Sequence, residues 1–133
     1  MLECRAVDVD RREIAAVFAG GVVGTLARAE LAQEWGSAPG TWPWATFAVN
    51  LLGAALLGYV ATRARALRPA PGAARAFLGP GVCGALTTFS ALQLELLGML
   101  DSGRLGLALT YAGASVAGGL LAVRLGALSV SRA

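Results

Sequence analysis

The third apolar window of this chain contains the sequence GPGVCGALTTFS at residues 79–90. This stretch contains three glycines, one proline and three hydroxyl residues. Such a composition does not stabilise a continuous helix. Irregular backbone inside a bilayer is tolerated only where protein buries it or where it coordinates something, because no water is there to bind the freed carbonyls and amides. The stretch therefore predicts a membrane helix that is broken mid-membrane beside a coordinated ion.

Charged residues divide the chain into four uncharged windows, at residues 14–27, 35–62, 76–94 and 105–123. A spanning helix needs roughly 20 residues, which the last three windows can supply. The first window reaches that length if Arg28 and Glu30 lie at the interface with their side chains extended outward. A secretory signal with a cleavage site at residues 27–29 is the alternative for this segment, although its acidic flank and its glycines fit a packed helix better.

The overall composition indicates the same class of protein. The 133 residues are 56% hydrophobic and 14% charged, whereas soluble domains are about 45–50% apolar and about 25% charged. The sequence therefore predicts an all-α integral membrane protein, with residues 1–133 forming a single transmembrane domain of four transmembrane helices. We expect these helices at about 13–33, 42–63, 74–99 and 104–128.

Several function classes are excluded by the residues that the chain lacks. It has no histidine, and its only cysteines are Cys4 and Cys83, so one chain cannot assemble a His/Cys metal cluster or a histidine-based catalytic triad. No nucleophile has a nearby base, and no phosphate-binding loop is present. The basic residues are scattered between apolar runs and form no nucleic-acid-binding stripe. We therefore expect neither an enzyme nor a nucleic-acid-binding protein.

The arginines are distributed unevenly across the membrane. If four helices span, the N-terminal tail, the loop at residues 63–75 and the C-terminal tail share one side, which then carries nine arginines against two. The nine are Arg5, Arg11, Arg12, Arg63, Arg65, Arg68, Arg75, Arg124 and Arg132, and the two are Arg28 and Arg104. The positive-inside rule then places both termini in the cytoplasm.

A few polar residues interrupt the apolar windows. Asn50 lies midway along the second window, where an amide either bonds a neighbouring helix or serves a permeating ion. Tyr111 and Ser115 lie four residues apart, on one face of the fourth helix. Their hydroxyls either line a path or bond nearby backbone, and the sequence leaves both alternatives open.

Four patterns, one in each window, resemble the CrcB/Fluc fluoride channel family. They are Gly-Gly-x-x-Gly-x-x-x-Arg at 20–28, Thr-x-x-x-Asn-x-x-Gly at 46–53, Gly-x-x-Gly-x-x-Thr-Thr-Phe-Ser at 81–90 followed by Glu95, and Tyr-x-x-x-Ser at 111–115. The patterns occur in order and cover nearly the whole chain. The third pattern is the most specific, whereas the first would be weak alone.

The resemblance implies a fluoride-selective channel subunit in a bacterial plasma membrane, which lets fluoride leave the cytoplasm passively and so relieves fluoride toxicity. It also implies an antiparallel dimer with two pores. The fluoride path would comprise Thr46, Asn50, Thr88, Phe89, Ser90, Tyr111 and Ser115. Asn50 would offer amide N–H donors to the anion, and Phe89 would offer the positive edge of its ring.

The resemblance further implies a structural sodium ion at the dimer centre, held by the backbone carbonyls of Gly84 and Thr87. A hard cation prefers oxygen ligands, and carbonyls released by a helix break supply them without a buried carboxylate.

Two departures from the family pattern bear on the partner. The family continues Phe-Ser-Thr-Phe, whereas this chain has Ala91 and Leu92 after Ser90, so one aromatic ring and one hydroxyl are missing. The arginine bias also gives this chain one orientation, and an antiparallel dimer then needs a second chain inserted the opposite way. We expect a heterodimer with a paralogous subunit of opposite orientation, with a homodimer as the alternative.

Two other functions compete with a fluoride channel. A small multidrug-type four-helix exporter needs a titratable carboxylate within the membrane, whereas Glu13 and Glu95 lie at the ends of uncharged windows. A non-conducting membrane assembly subunit leaves the hydroxyl cluster at residues 87–90 unexplained.

Overall fold

The structure is a computed structural model that describes residues 10–38, 40–66 and 72–131. These residues form helices and no strands, and four stretches are long and apolar enough to cross a membrane. The four stretches are Arg11–Glu34, Trp44–Arg65, Gly72–Asp101 and Leu105–Val130. The prediction of an all-helical protein with four spanning helices is thus confirmed. Arg5, Arg68 and Arg132, which enter the arginine count, lie outside the described residues.

Three of the four stretches are single helices. They are α1 (Arg11–Glu34), α2 (Trp44–Ala66) and α6 (Leu105–Ser131). The third stretch is composite and contains α3 (Gly72–Ala76), a π-helical segment (Phe77–Cys83), α4 (Gly84–Leu86) and α5 (Phe89–Asp101).

The π-helical segment is centred on Pro80. Proline has no N–H, and its ring collides with the carbonyl four residues earlier, so an ordinary α-helical turn cannot continue through it. A wider turn accommodates the proline. After α4 the backbone becomes extended at Thr87 (φ −75°, ψ 148°) and Thr88 (φ −145°, ψ 117°) before α5 begins.

Close glycine contacts join α1 to the π-helical segment. A Cβ on Gly20 would overlap the carbonyl oxygen of Phe77, and a Cβ on Gly24 would overlap that of Val82. Small residues let helix backbones approach in this way, and dispersion contacts then hold the pair together where no hydrophobic effect acts.

The second close pair is α2 with α6. A Cβ on Gly58 would overlap the carbonyl oxygen of Val123, and one on Gly126 would overlap that of Ala55.

A tight turn between α5 and α6, with Gly103 at φ 70°, makes α5 and α6 antiparallel. This turn brings the start of α6 alongside the second half of α5.

A compact aromatic cluster closes the end of the molecule where α2 begins. Tyr111 is fully buried, and its ring meets that of Trp42 edge to face at 5.2 Å between centroids. Phe47 packs against the same indole at 5.4 Å. Met99 and Leu92 complete the surroundings of the tyrosine. The phenol is therefore held in one position by rigid neighbours.

Candidate functional site

An amide on α2 holds the extended backbone between α4 and α5. The Thr88 N–H donates to Asn50 Oδ1 at 2.8 Å, and Asn50 Nδ2 donates to the Thr88 carbonyl at 3.2 Å. The side chain thus pairs with both backbone groups of Thr88, as a neighbouring strand would. This pairing satisfies polar groups that are costly to leave unbonded in apolar surroundings.

The same hydrogen bonds release two carbonyl oxygens. In a continuous α-helix the Thr88 N–H would bond the Gly84 carbonyl, and the Ala91 N–H would bond the Thr87 carbonyl. Instead, the first N–H donates to Asn50 Oδ1, and the second donates to the Thr88 hydroxyl at 3.2 Å. The carbonyls of Gly84 and Thr87 therefore lose their helical donors. Their oxygen chemistry fits a hard monovalent cation.

Hydroxyl groups cluster at the start of α5. Thr88 caps the helix, because its hydroxyl accepts the Ala91 N–H. Its oxygen also lies 3.1 Å from Ser90 Oγ. The structure thus brings together three of the predicted path residues: Asn50, Thr88 and Ser90.

Two more predicted path residues meet at a carboxylate that the sequence analysis did not assign to the site. Thr46, one turn before Asn50 on α2, donates its hydroxyl hydrogen to Glu95 Oε1. The Tyr111 hydroxyl donates to Glu95 Oε2 at 2.7 Å. Hydrogen bonds to a charged acceptor are shorter and stronger than those between neutral groups, so Glu95 joins α2, α5 and α6.

The prediction that Glu95 lies at the end of a membrane segment is wrong. It is the middle residue of α5, half-buried and inside the third spanning stretch. The uncharged window ends at this carboxylate, but the helix continues to Asp101. Two hydroxyl donors compensate for the cost of placing the carboxylate there. The sequence does contain a signal for a role of Glu95 in the site, because this residue closely follows the third pattern.

Arg28 lies within α1 and is half-buried. Its Nε atom is buried and has no hydrogen-bond partner within the described part of the chain. Arg28 lines a cavity of about 90 Å³ together with Thr46, Thr88 and Ala91. Two hydroxyl residues in this wall give the arginine polar neighbours, which makes its charge less costly there than in lipid. Glu30, by contrast, is exposed.

A second cavity adjoins the first at Thr46. It has a volume of about 320 Å³ and is lined by Thr46, Glu95 and the loop between α1 and α2, including Trp35 and Ser37. Thr46 therefore lines both the space near the helix ends and the smaller space beside Arg28 and Thr88.

The remaining two predicted path residues stand apart from these clusters. Phe89 is 71% exposed, so its ring lies on the outer surface of the single chain. Ser115 lies one turn after Tyr111, and its buried hydroxyl makes no hydrogen bond of good geometry within the described ranges.

The two positions where the chain departs from the family pattern have different surroundings. Ala91 lines the cavity beside Arg28. Leu92 packs into the cluster around Tyr111 and Met99. The hydroxyl that is missing at position 91 is therefore missing from a cavity wall, whereas the aromatic ring that is missing at position 92 is missing from the core of the chain.

The chain resembles known families and proteins along most of its length. The family model described as "CrcB-like protein, Camphor Resistance (CrcB)" matches residues 15–127. A relative named Fluoride-specific ion channel FluC 1, from Mycolicibacterium paratuberculosis, is 50% identical over 123 residues, covering 92% of this chain and 93% of the relative. Fluoride-specific ion channel FluC from Stutzerimonas stutzeri is 49% identical over 111 residues, covering 80% and 87%. The protein of that name from Thermus thermophilus is 43% identical over 111 residues, covering 83% and 87%.

Proposed function

The chain belongs to the CrcB-like protein family, and from that membership we propose that it is a subunit of a fluoride-selective channel through which fluoride leaves the cytoplasm passively. The chain is a multi-pass membrane protein, and its relatives carry the names of ion channels, not of enzymes. Its role is then to relieve fluoride toxicity in a bacterial plasma membrane.

The cavity beside Arg28 is the structural observation that carries this proposal. Arg28, whose Nε atom is buried, lines a space of about 90 Å³ together with the hydroxyl residues Thr46 and Thr88. Positive charge and N–H or O–H donors favour a small anion that has shed its water, and the positive charge repels a cation. The two adjoining cavities then form the wide and narrow parts of one anion path.

Asn50 is next to the narrow cavity, because it pairs with Thr88, which lines that cavity. An amide nitrogen carries two hydrogens, and the Thr88 carbonyl accepts one of them from Asn50. The second hydrogen remains to be donated to fluoride. The adjacent start of α5 adds the partial positive charge of a helix N-terminus, which also favours an anion.

Phe89 completes the path in this proposal once a second subunit is present. Its exposed ring is free to line a space formed at a dimer interface. The ring edge, which carries partial positive charge, then faces the ion. Tyr111 and Ser115 continue the hydroxyl side of the path.

We further propose an antiparallel dimer around a structural sodium ion. The carbonyls of Gly84 and Thr87 would hold the ion, which supplies fixed positive charge that ties the two interrupted helices together. A Cβ on Gly84 would meet no atom within 4 Å, so this position is open on the single chain. An open position beside released carbonyls supports a site completed by a partner subunit. The helix interruption would then lie mid-membrane.

Efflux from liposomes tests the channel proposal. The purified protein, alone and with a paralogous subunit, is reconstituted into vesicles loaded with potassium fluoride or potassium chloride, and valinomycin starts the efflux. We expect rapid fluoride efflux and no chloride efflux above that of protein-free vesicles. Equal efflux of both anions, or none from either preparation, would contradict the proposal.

The position of Glu95 favours a proton-coupled exporter as the second candidate, because this carboxylate lies inside a spanning stretch. The same vesicles distinguish the two functions. A channel passes fluoride down its electrochemical gradient without a pH gradient, whereas an exporter of this kind moves a cationic drug only when one is imposed.

A further inference from the structure

A basic groove separates the end of α2 from the start of the third stretch, away from the cavities described above. It has a volume of about 300 Å³, and its polar wall consists of Tyr59, Arg63 and Arg75. Val60 and Leu78 form part of its apolar wall. The groove thus has a positively charged part and an apolar part.

Arg63 is held in position by Tyr59, one turn earlier on α2. Its Nη1 donates to the tyrosine hydroxyl at 3.0 Å, and its guanidinium carbon lies 5.8 Å from the centre of the ring. A guanidinium has five N–H donors, so most of them remain for another acceptor. Fixing the side chain in advance reduces the entropy that is lost when a ligand binds.

Arg75 brings a second positive charge to the same groove. Neither arginine forms an ion pair within the described ranges. Glu13 is the acidic residue nearby, and it lines a neighbouring cavity that Arg75 also lines. The groove is therefore lined by two arginines that are not held in an ion pair with a described carboxylate.

Both arginines lie at the same surface of the membrane. Arg63 is close to the last residue of the second spanning stretch, and Arg75 is close to the first residue of the third. Two guanidinium groups match the oxygens of a phosphate diester, to which arginine donates two parallel hydrogen bonds. The apolar wall suits the acyl chains attached to such a group.

We propose that this groove binds the headgroup of an anionic phospholipid such as phosphatidylglycerol. The arginine distribution places the groove in the cytoplasmic leaflet, and clusters of basic residues at that surface attract anionic lipids by about 1 kcal/mol for each Lys or Arg. The lipid fills the space between α2 and α3. It thereby holds together the end of α2 and the start of α3, which the basic loop connects. Residues 67–71 of that loop lie outside the described ranges.

Native mass spectrometry of the purified complex, titrated with phosphatidylglycerol, tests the proposal. The variant R63Q/R75Q should bind the lipid roughly thirtyfold more weakly, as expected for two arginines. R11Q/R12Q is the matched control, because it removes the same charge from two exposed residues at the same end of the molecule. This control measures the general attraction of a basic surface for the lipid, and R63Q/R75Q should weaken binding more than the control does.

Three results would overturn the proposal: unchanged binding by R63Q/R75Q, equal loss in the control, or displacement of the lipid by an equal concentration of inorganic phosphate. The last result would assign the groove to a free anion. If the double variant does not fold, R75Q alone should bind about fivefold more weakly, and unaltered binding by R75Q would refute the proposal. The measurement involves no fluoride transport, so its failure leaves the channel proposal untouched.

Discussion

Asn50 is the residue on which both the backbone interruption and the proposed anion path depend. In Asn50→Asp, an oxygen replaces the nitrogen that donates to the Thr88 carbonyl, and a negative charge faces the permeating anion. We expect loss of fluoride efflux and a decrease of roughly 1–3 kcal/mol in the free energy of unfolding. Liposome efflux and thermal unfolding measure the two effects separately.

The control for Asn50→Asp is Thr110→Val. Thr110 is exposed, and its hydroxyl donates to the Gly106 carbonyl of its own helix. Efflux by this variant should equal that of the unaltered protein. If Asn50→Asp and Phe89→Ile both transport fluoride at the unaltered rate, the proposed path is wrong.

A second test concerns the hydrogen bond between Glu95 and Tyr111. Glu95→Gln leaves one carbonyl oxygen to serve two hydroxyl donors, and Tyr111→Phe removes one of those donors. We expect each change to lower stability, and the double variant to be less destabilised than the sum by about 0.5–3 kcal/mol. Unfolding free energies of the four proteins give this coupling. A coupling of zero would mean that the hydrogen bond does not contribute.

The residues of the site show where sequence reasoning succeeds and where it stops. A run of uncharged residues predicts a spanning helix because the bilayer thickness alone sets its length. The pairing of Asn50 with Thr88 depends instead on how α2 is rotated about its axis, which no local pattern specifies. Glu95 was misjudged because hydroxyl groups on two other helices bond its carboxylate, so its charge did not mark the end of the spanning helix.

A matched pair of substitutions tests the close packing of α1 against the π-helical segment. In Gly20→Ala the new Cβ would overlap the Phe77 carbonyl oxygen, whereas in Gly21→Ala it would meet no atom within 4 Å. We expect Gly20→Ala to lose about 1–3 kcal/mol of stability. Gly21→Ala should be neutral or gain up to about 1 kcal/mol from helix propensity. Equal unfolding temperatures for the two variants would argue against this close contact.

The interruption between α4 and α5 predicts that sodium binding at the proposed site depends on backbone carbonyls and not on side chains. Thr87→Val removes a hydroxyl that donates to the Cys83 carbonyl, but it keeps the Thr87 carbonyl. Gly84→Pro removes an N–H that bonds the carbonyls of the preceding turn. We expect the unfolding temperature to rise with sodium in Thr87→Val, as in the unaltered protein.

In Gly84→Pro this dependence on sodium should be lost. The comparison solution replaces sodium with N-methylglucamine, which is too large to bind between carbonyls. Sodium dependence that survives in Gly84→Pro, or that is absent from the unaltered protein, would argue against the site.

For the whole molecule, the arginine bias and the proposed antiparallel dimer together predict the partner. A chain with nine arginines on one side and two on the other inserts in one orientation. Reporter tags at the C-terminus should therefore be found in the cytoplasm only. Expressed alone, the chain should fail to restore full fluoride resistance to a sensitive host, and co-expression with an oppositely biased paralogue should restore it. Full rescue by the chain alone, with tags on both sides, would show a homodimer.

The wide turn at Pro80 lies between two contacts that fix the position of the third stretch. Before it, Phe77 and Gly20 set how this stretch meets α1; after it, Asn50 sets where Thr88 must lie. An α-helix turns by about 100° for each residue, so a chain one residue too short would satisfy one contact and misalign the other. The π turn absorbs one extra residue, and one chain can therefore make both contacts.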